Sequence, residues 1–381
     1  NDHCRKISQE SFIQLYKEGR EYQKKAPIIF CPQCKTAIAQ VEMEDVEKQT
    51  TLNYIKAKTE TGEYLIYATT RPELHPACVG ISLNKDGDYV TVQRDNGEKW
   101  IISKDAVEKM QAEFPMEIIK TCKGETLVGK KVTIPFAQEQ RKITHDISAK
   151  TEYGTGIVYY CTYGGLDCVE WMARHTDVKP IDIMDESGTY MLGPYKGMNT
   201  EEARKQILED LEKQGFLLKK QPMKHAVNTH ERCGTDIEYI ATKQWFIKYL
   251  DLKETFLTAG KEMKWYPEHM RVRYENWIKG LQWDWCISRQ RYFGVPFPVW
   301  YCKKCGEVML ADEKQLPVDP LVDKPKKACT CGSKEFTPEQ DVLDTWTTSS
   351  LTPQLAIQLF KKRKDYKELY PKLFPMSLRP Q

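Results

Sequence analysis

Apolar positions recur along the chain at two different periods, and each change of period marks a division. Over residues 8–20, Phe12, Leu15, Tyr16 and Gly19 share one face of a helical wheel, with Ser8 placed to cap the first turn. Ile28-Ile29-Phe30 is a short strand that leads into Cys31-Pro32-Gln33-Cys34. From residue 51 to about 221 the pattern is strand-rich, with turn signals at Thr61-Gly62, Asp86-Gly87 and Asp95-Asn96-Gly97. Two helical stretches interrupt it. One covers residues 104–114; the other covers 199–213, where Glu202 follows Asn199 by three positions and Gly215 stands just beyond the end. The pattern predicts a compact, mainly β domain with helices packed on it. An aromatic-dense stretch, 277–300, follows a return segment, and Trp277, Trp283 and Trp300 read as core. Residues 317–327 are the one linker-like segment.

Composition changes the picture in three ways. A chain of 381 residues is too long for one ordinary core. A net charge of +3 argues against a basic tail, though a local positive groove is compatible with it. No apolar run approaches the ~18–20 residues that span a bilayer, and no signal peptide precedes the first helix. The expectation is a cytoplasmic protein with no membrane partner, and a monomer. The chain opens at Asn1 and stops at Gln381 in mid-pattern, which reads as a fragment.

Thirteen cysteines is an odd number, and several stand in close pairs that read as metal ligands before disulfides. Cys302-x-x-Cys305 and Cys329-x-Cys331 offer four thiolates to a tetrahedral zinc ion, with Gly306 and Gly332 after each pair to let the backbone wrap it. Cys31-x-x-Cys34 needs partners, and His230-x-x-Cys233 is the best candidate; the alternative is two unrelated polar turns. If they share one zinc, it clips together the two stalks through which the β domain is inserted. Cys4, Cys78, Cys122, Cys161, Cys168 and Cys286 read as packed small hydrophobes.

The stretch with the most chemistry runs from Tyr64 to Leu74. It begins as a strand and ends in Thr69-Thr70-Arg71-Pro72-Glu73. Two hydroxyls, a guanidinium and a carboxylate at one strand end can bind a polar, partly anionic ligand or orient a water beside an ester carbonyl.

Several runs, in this order, resemble the valyl-tRNA synthetases of class I, and the archaeal type more than the bacterial. They are Ala68-Thr69-Thr70-Arg71-Pro72-Glu73-Leu74 with Pro76-Ala77-Cys78-Val79, Gly154-Thr155-Gly156, His230-Glu231-Arg232-Cys233-Gly234, residues 283–291, and Asp341-Val342-Leu343-Asp344-Thr345-Trp346. The closing run 377–381 is similar to the one that precedes the family's active-site strand. The resemblance implies a multidomain α/β protein. A mainly β editing domain with flanking helices (51–222) is inserted into a partial Rossmann-type core, with two zinc-binding knuckles. The remaining divisions are an entry helix and half-stalk (1–50), a return stalk (223–265), core portions (266–300 and 341–381) and a zinc ribbon (301–340). His-Ile-Gly-His and Lys-Met-Ser-Lys-Ser, the class I signatures for ATP, do not occur, so ATP and Mg2+ are implied only for the full-length enzyme.

A pocket for valine rejects threonine by only ~10²-fold, so the family hydrolyses threonine mischarged onto tRNA in a second site. By resemblance, Thr69 and Thr70 line that site, Arg71 and Glu73 hold the terminal adenosine and shape it, and Thr155 belongs to its second wall. Archaeal relatives typically carry two aspartates three apart after the next strand, one of them anchoring the substrate's ammonium; this chain has Gly165 and Cys168 there, so either Asp167 between them takes over by a one-residue shift or the anchor is lost and editing is weak. His75 stands where relatives tend to have an aliphatic residue; it reads as an edge residue, the alternative being a contact with the pocket. In the core half, Tyr292, Phe293 and Trp346 would wall valine's side chain and Asp344 would hydrogen-bond within that site. The partners implied are a valine-accepting tRNA, valine, and threonine as its mischarged ester. The alternatives are a stand-alone trans-editing deacylase or the isoleucyl or leucyl relative.

Overall fold

The computed structural model describes residues 1–360 together with Lys364, Asp365 and Glu368. The run 377–381 therefore lies outside the described residues. The chain divides into two compact units: residues 27–35 with 40–241, and residues 1–26 with 36–39 and 242–381.

The larger sheet-bearing unit is built on a ten-stranded mixed sheet. Its central strand Met43–Thr59 pairs antiparallel with Tyr64–Thr69, Asn53 standing opposite Thr69, and on its other side with Leu217–His230. Tyr64–Thr69 in turn pairs parallel with Lys99–Ser103. Strict alternation sends neighbouring side chains to opposite faces. Leu65 and Tyr67 enter one core with Ile55, Ala57, Ile81 and Ile143; Ile66 enters another with Tyr54, Val90, Trp100 and Ile102. Each such side chain, fully removed from water, stabilises the fold by roughly 1.5–3 kcal/mol.

Helix Thr200–Lys213 closes the first of these cores through Ala203, Ile207 and Leu211, at the 3.6-residue spacing of one face. Its predicted start is present: the Asn199 side chain accepts from the Glu202 N–H, and Glu202 reaches back to the Asn199 N–H. The predicted helix over 104–114 is shorter, a 3₁₀ turn Lys104–Ala106 followed by Val107–Gln111. Its Val107 and Met110 cover the second core.

In the other unit, the first helix runs Asp2–Lys17, with Asn1 rather than Ser8 as its cap. Ser8 sits inside the helix and its hydroxyl donates to the Cys4 carbonyl. Phe12 packs edge-on against Trp245 and Phe297 at 5.1 Å each, and these rings with Ile13, Ile287, Val299 and Trp300 form the core. Trp300 is thus core as expected, whereas Trp277, on helix Met270–Gly280, is exposed. Two three-stranded sheets, around Val342–Leu343 and Val299–Cys302, are antiparallel throughout. Their strands are two to four residues long.

Candidate functional site: a buried charge cluster at a strand end

Tyr64–Thr69 ends where Pro72 starts a 3₁₀ turn, Pro72–Ala77. The half-buried Thr69 hydroxyl accepts from the Arg71 N–H at 3.0 Å, which tightens the corner and leaves its own O–H to donate. Thr70, also half-buried, follows at the tip. Beneath them Asn53 donates to the Thr69 carbonyl at 3.2 Å.

Arg71 is the hub. Its Nε donates to Glu73 at 2.8 Å, its Nη2 forks onto both oxygens of Glu238 at 2.9 and 2.7 Å, and its Nη1 donates to the Gly164 carbonyl at 3.1 Å. Glu73 has no exposed surface, and Arg204 also grips it, from Nε and Nη2, at 2.9 Å. The Tyr190 hydroxyl donates to the Glu73 carbonyl at 2.6 Å. Burial alone would raise the Glu73 pKa, but Arg71 and Arg204 hold it below the ordinary carboxylate value. Burial likewise works against the Arg71 cation, and Glu238 with Glu73 outweighs it. Glu238 stays above the ordinary value because burial outweighs Arg71 there. It is the member of the cluster most ready to take a proton. Glu73 is therefore a positioning residue, its oxygens already occupied.

His75 is not at an edge. It is wholly buried, its Nδ1 donating to the Pro72 carbonyl at 2.6 Å and its Nε2 accepting from the Tyr67 hydroxyl at 2.9 Å. The ring stacks on Tyr159 at 5.0 Å. Burial pulls its pKa down to about 4. The unfolded chain therefore takes up this proton near pH 6.5 and the folded chain only near 4, so the contribution is complete above ~6.5 and drains as pH falls toward 4, by about 3 kcal/mol. Urea midpoints across that window should show the slope in the native chain and lose it in His75→Gln. An unchanged slope in the variant assigns it elsewhere.

The wall opposite Arg71 comes from strand Ile157–Cys161 and the loop after it. The strand pairs with Cys78–Leu83, Cys161 lying opposite Cys78 and Ile157 opposite Leu83. Gly164 thereby reaches Arg71, and Gly165 opens helix Leu166–Arg174. Asp167 is exposed in the first turn of that helix. Thr155 is buried at the other end of the strand, its carbonyl accepting from the Ser103 N–H. About 13 Å of strand separates the two ends. The structure thus brings Thr69, Thr70, Arg71 and Glu73 together, sets Asp167 just beyond Gly164, and does not bring Thr155 to the same corner.

In the other unit Tyr292 and Phe293 are fully exposed, Trp346 is 39% exposed, and buried Asp344 faces Arg289 at 3.4 Å. These four do not form an enclosed apolar site among the described residues.

Two four-residue groups fit a metal ion. Cys31, Cys34, His230 and Cys233 place their ligand atoms within 4.8 Å of one another, as do Cys302, Cys305, Cys329 and Cys331. Neighbouring ligand atoms are 3.4–3.7 Å apart in the first group. In the second, Cys302–Cys331 is 3.6 Å and Cys305–Cys329 3.5 Å. A tetrahedron with ~2.3 Å arms has edges of ~3.8 Å, so both groups fit zinc. The residue after each second ligand turns through positive φ: Lys35, Gly234, Gly306 and Gly332.

Sequence reasoning missed Glu238, Arg204 and Asn53. Glu238 carried a faint signal, a carboxylate inside the apolar run Ile237-Glu238-Tyr239-Ile240. Arg204 and Asn53 carried none, since Arg204 meets Glu73 from 131 positions away and Asn53 meets the Thr69 carbonyl from a neighbouring strand.

Over residues 2–377 the chain matches the family described as tRNA synthetases class I (I, L, M and V). The valine--tRNA ligase of Thermoplasma acidophilum is 43% identical over 378 residues, 99% of this chain and 42% of that protein. That of Methanocaldococcus jannaschii is 40% identical over 381 residues, 99% of this chain and 39% of that protein. The chain spans about two fifths of the length of these curated relatives. Among solved structures, the P. knowlesi cytosolic leucyl-tRNA synthetase editing domain is similar with a TM-score of 0.39 and 13% identity, over 47% of this chain and 97% of that one. With nearly every residue inside the family match, the chain belongs to the class I tRNA synthetases of the isoleucine, leucine, methionine and valine group.

Proposed function

We propose that the sheet-bearing unit hydrolyses threonine esterified to a valine-accepting tRNA, as the editing part of a valine-tRNA ligase. The observation that carries this reading is the corner at Thr69-Thr70-Arg71. There, half-buried Thr69 and Thr70 lead into Arg71, whose guanidinium Glu73, Glu238 and the Gly164 carbonyl hold in one orientation. The similarity to valine--tRNA ligases supplies the amino acid.

In this reading the Thr69 and Thr70 hydroxyls hydrogen-bond the threonine side chain, and valine, whose methyl leaves them unpaired, is spared. Arg71 faces the terminal adenosine and fixes the ester relative to a water. Its orientation is set before substrate arrives, so little is lost in ordering it. Asp167, beyond Gly164, receives the substrate's ammonium. Zinc, held by Cys31, Cys34, His230 and Cys233 and by Cys302, Cys305, Cys329 and Cys331, would supply cross-links. Valine activation with ATP and Mg2+ belongs, in this reading, to the longer enzyme.

Thr-tRNA(Val) incubated with the chain should be deacylated at least about tenfold faster than Val-tRNA(Val). Asp167→Asn should slow the threonine ester chiefly through KM. Equal rates on the two esters would refute the reading.

A further inference from the structure

Beside the Arg71 corner lies a pair of thiols with no part in the hydrolysis just described. Cys161, buried at the end of its strand, and Cys168, half-buried in the first turn of helix Leu166–Arg174, hold their sulfurs 3.7 Å apart. Between them runs the loop that supplies Arg71's carbonyl partner. Gly164 is packed so closely on it that a Cβ there would stand 2.1 Å from the Cys161 sulfur and 3.4 Å from that of Cys168. The Cys161 sulfur lies directly against Gly164, so drawing it toward Cys168 disturbs that peptide.

We propose that Cys161 and Cys168 form an oxidisable pair that closes to a disulfide under a peroxide and, by displacing the Gly164 carbonyl from Arg71, slows hydrolysis at this site. The effect on hydrolysis rests on the function proposed above; the disulfide does not. The two thiols are already unequal. The hydrogen bond from Cys161 holds the Cys168 thiol below its ordinary pKa, with the Gly164 peptide and Arg71 acting in the same direction, and the same bond pushes Cys161 well up. Cys168, half-buried where Cys161 is buried, is the thiol that peroxide reaches; it attacks and Cys161 resolves. Cys168 thiolate displaces hydroxide from hydrogen peroxide: an S–O bond forms, the O–O bond breaks, and sulfur loses two electrons. Cys161 then attacks that sulfur; the S–S bond forms, the S–O bond breaks, and hydroxide leaves with the Cys161 proton as water. The sulfurs close from 3.7 Å to about 2.05 Å, and the loop between them must shift. Cys78, opposite Cys161, is a poor competitor: burial pushes its thiol up to about 12.

The test uses the metal-loaded chain, hydrogen peroxide, alkylation and trypsin. Residues 151–174 contain both cysteines and no internal lysine or arginine, so one peptide reports the pair. The expected product lacks two hydrogens and takes up no alkylating agent. Cys161→Ser should instead leave a sulfenic acid on Cys168 that dimedone traps. Thr-tRNA(Val) hydrolysis should fall about tenfold on oxidation and recover with dithiothreitol, while Cys168→Ser should show the same rate before and after peroxide. Two alkylated thiols after peroxide overturn the proposal, as does a disulfide that leaves hydrolysis unchanged. A reduced chain that hydrolyses neither ester refutes the editing reading and leaves the disulfide to be judged by mass alone.

Discussion

Arg71→Ala is expected to cost about 3–5 kcal/mol of stability and about a hundredfold in hydrolysis of Thr-tRNA(Val). The two losses have different origins. Glu238 is buried and accepts both of its Arg71 hydrogen bonds from Nη2, so truncation strands a carboxylate away from water. Glu73 is better protected, because Arg204 still grips it. The loss in rate follows because Arg71 directly follows Thr69-Thr70, whereas the other guanidinium of the cluster, Arg204, is committed to both oxygens of Glu73. Arg71→Lys should rescue little: a single ammonium cannot reach Glu73, Glu238 and the Gly164 carbonyl together, as the planar fork does. Pairing Arg71→Met with Glu238→Met removes the stranded charge and should recover most of the stability and none of the rate. Denaturant midpoints and single-turnover deacylation separate the effects. Full stability in Arg71→Ala would mean that the cluster does not hold the corner.

The second large effect concerns metal. Mass spectrometry under native conditions should find two zinc ions per chain, and prolonged chelation should unfold both cysteine-bearing segments, since a structural zinc contributes about 10–16 kcal/mol in small peptides. Cys302→Ser should remove one ion and loosen the two turns that carry Cys305 and Cys331, while Val299 and Trp300 stay packed in the core. Cys233→Ser should remove the other. A chain with one ion that keeps it after Cys233→Ser would exclude Cys31, Cys34, His230 and Cys233 as a metal site.

What was legible in the sequence is what local rules govern. The capping box at Asn199 and Glu202 acts within one helical turn, so its spacing alone marked the start of a helix. The β-branched and aromatic residues of Tyr64–Thr69 marked a strand, and paired cysteines two or three apart marked knuckles whose side chains the fold gathers. Boundaries suffered where two local signals competed. Ser8 could cap a helix, but Asn1 followed by Asp2 in the first turn did so earlier and left Ser8 inside. Gly164-Gly165 reads as a bent loop, yet Gly165 opens a helix whose Trp171 is buried. The charge cluster was half legible: Arg71 and Glu73 stand two apart, but the groups that orient them, Glu238 and Arg204, come from 167 and 131 positions away. No periodicity reports on partners at that range.

The first knuckle also has a consequence for how the chain is made. Cys31 and Cys233 are 202 positions apart, and the ribbon between Met43–Thr59 and Leu217–His230 must zip to its last rung before they meet. On a ribosome adding about 5–20 residues each second, the early Cys-x-x-Cys waits ten seconds or more, by that estimate, for its other half. During that interval two thiols can hold an ion only weakly. If the knuckle's four side chains hold zinc as proposed, its final capture reports that the ribbon between them has already paired.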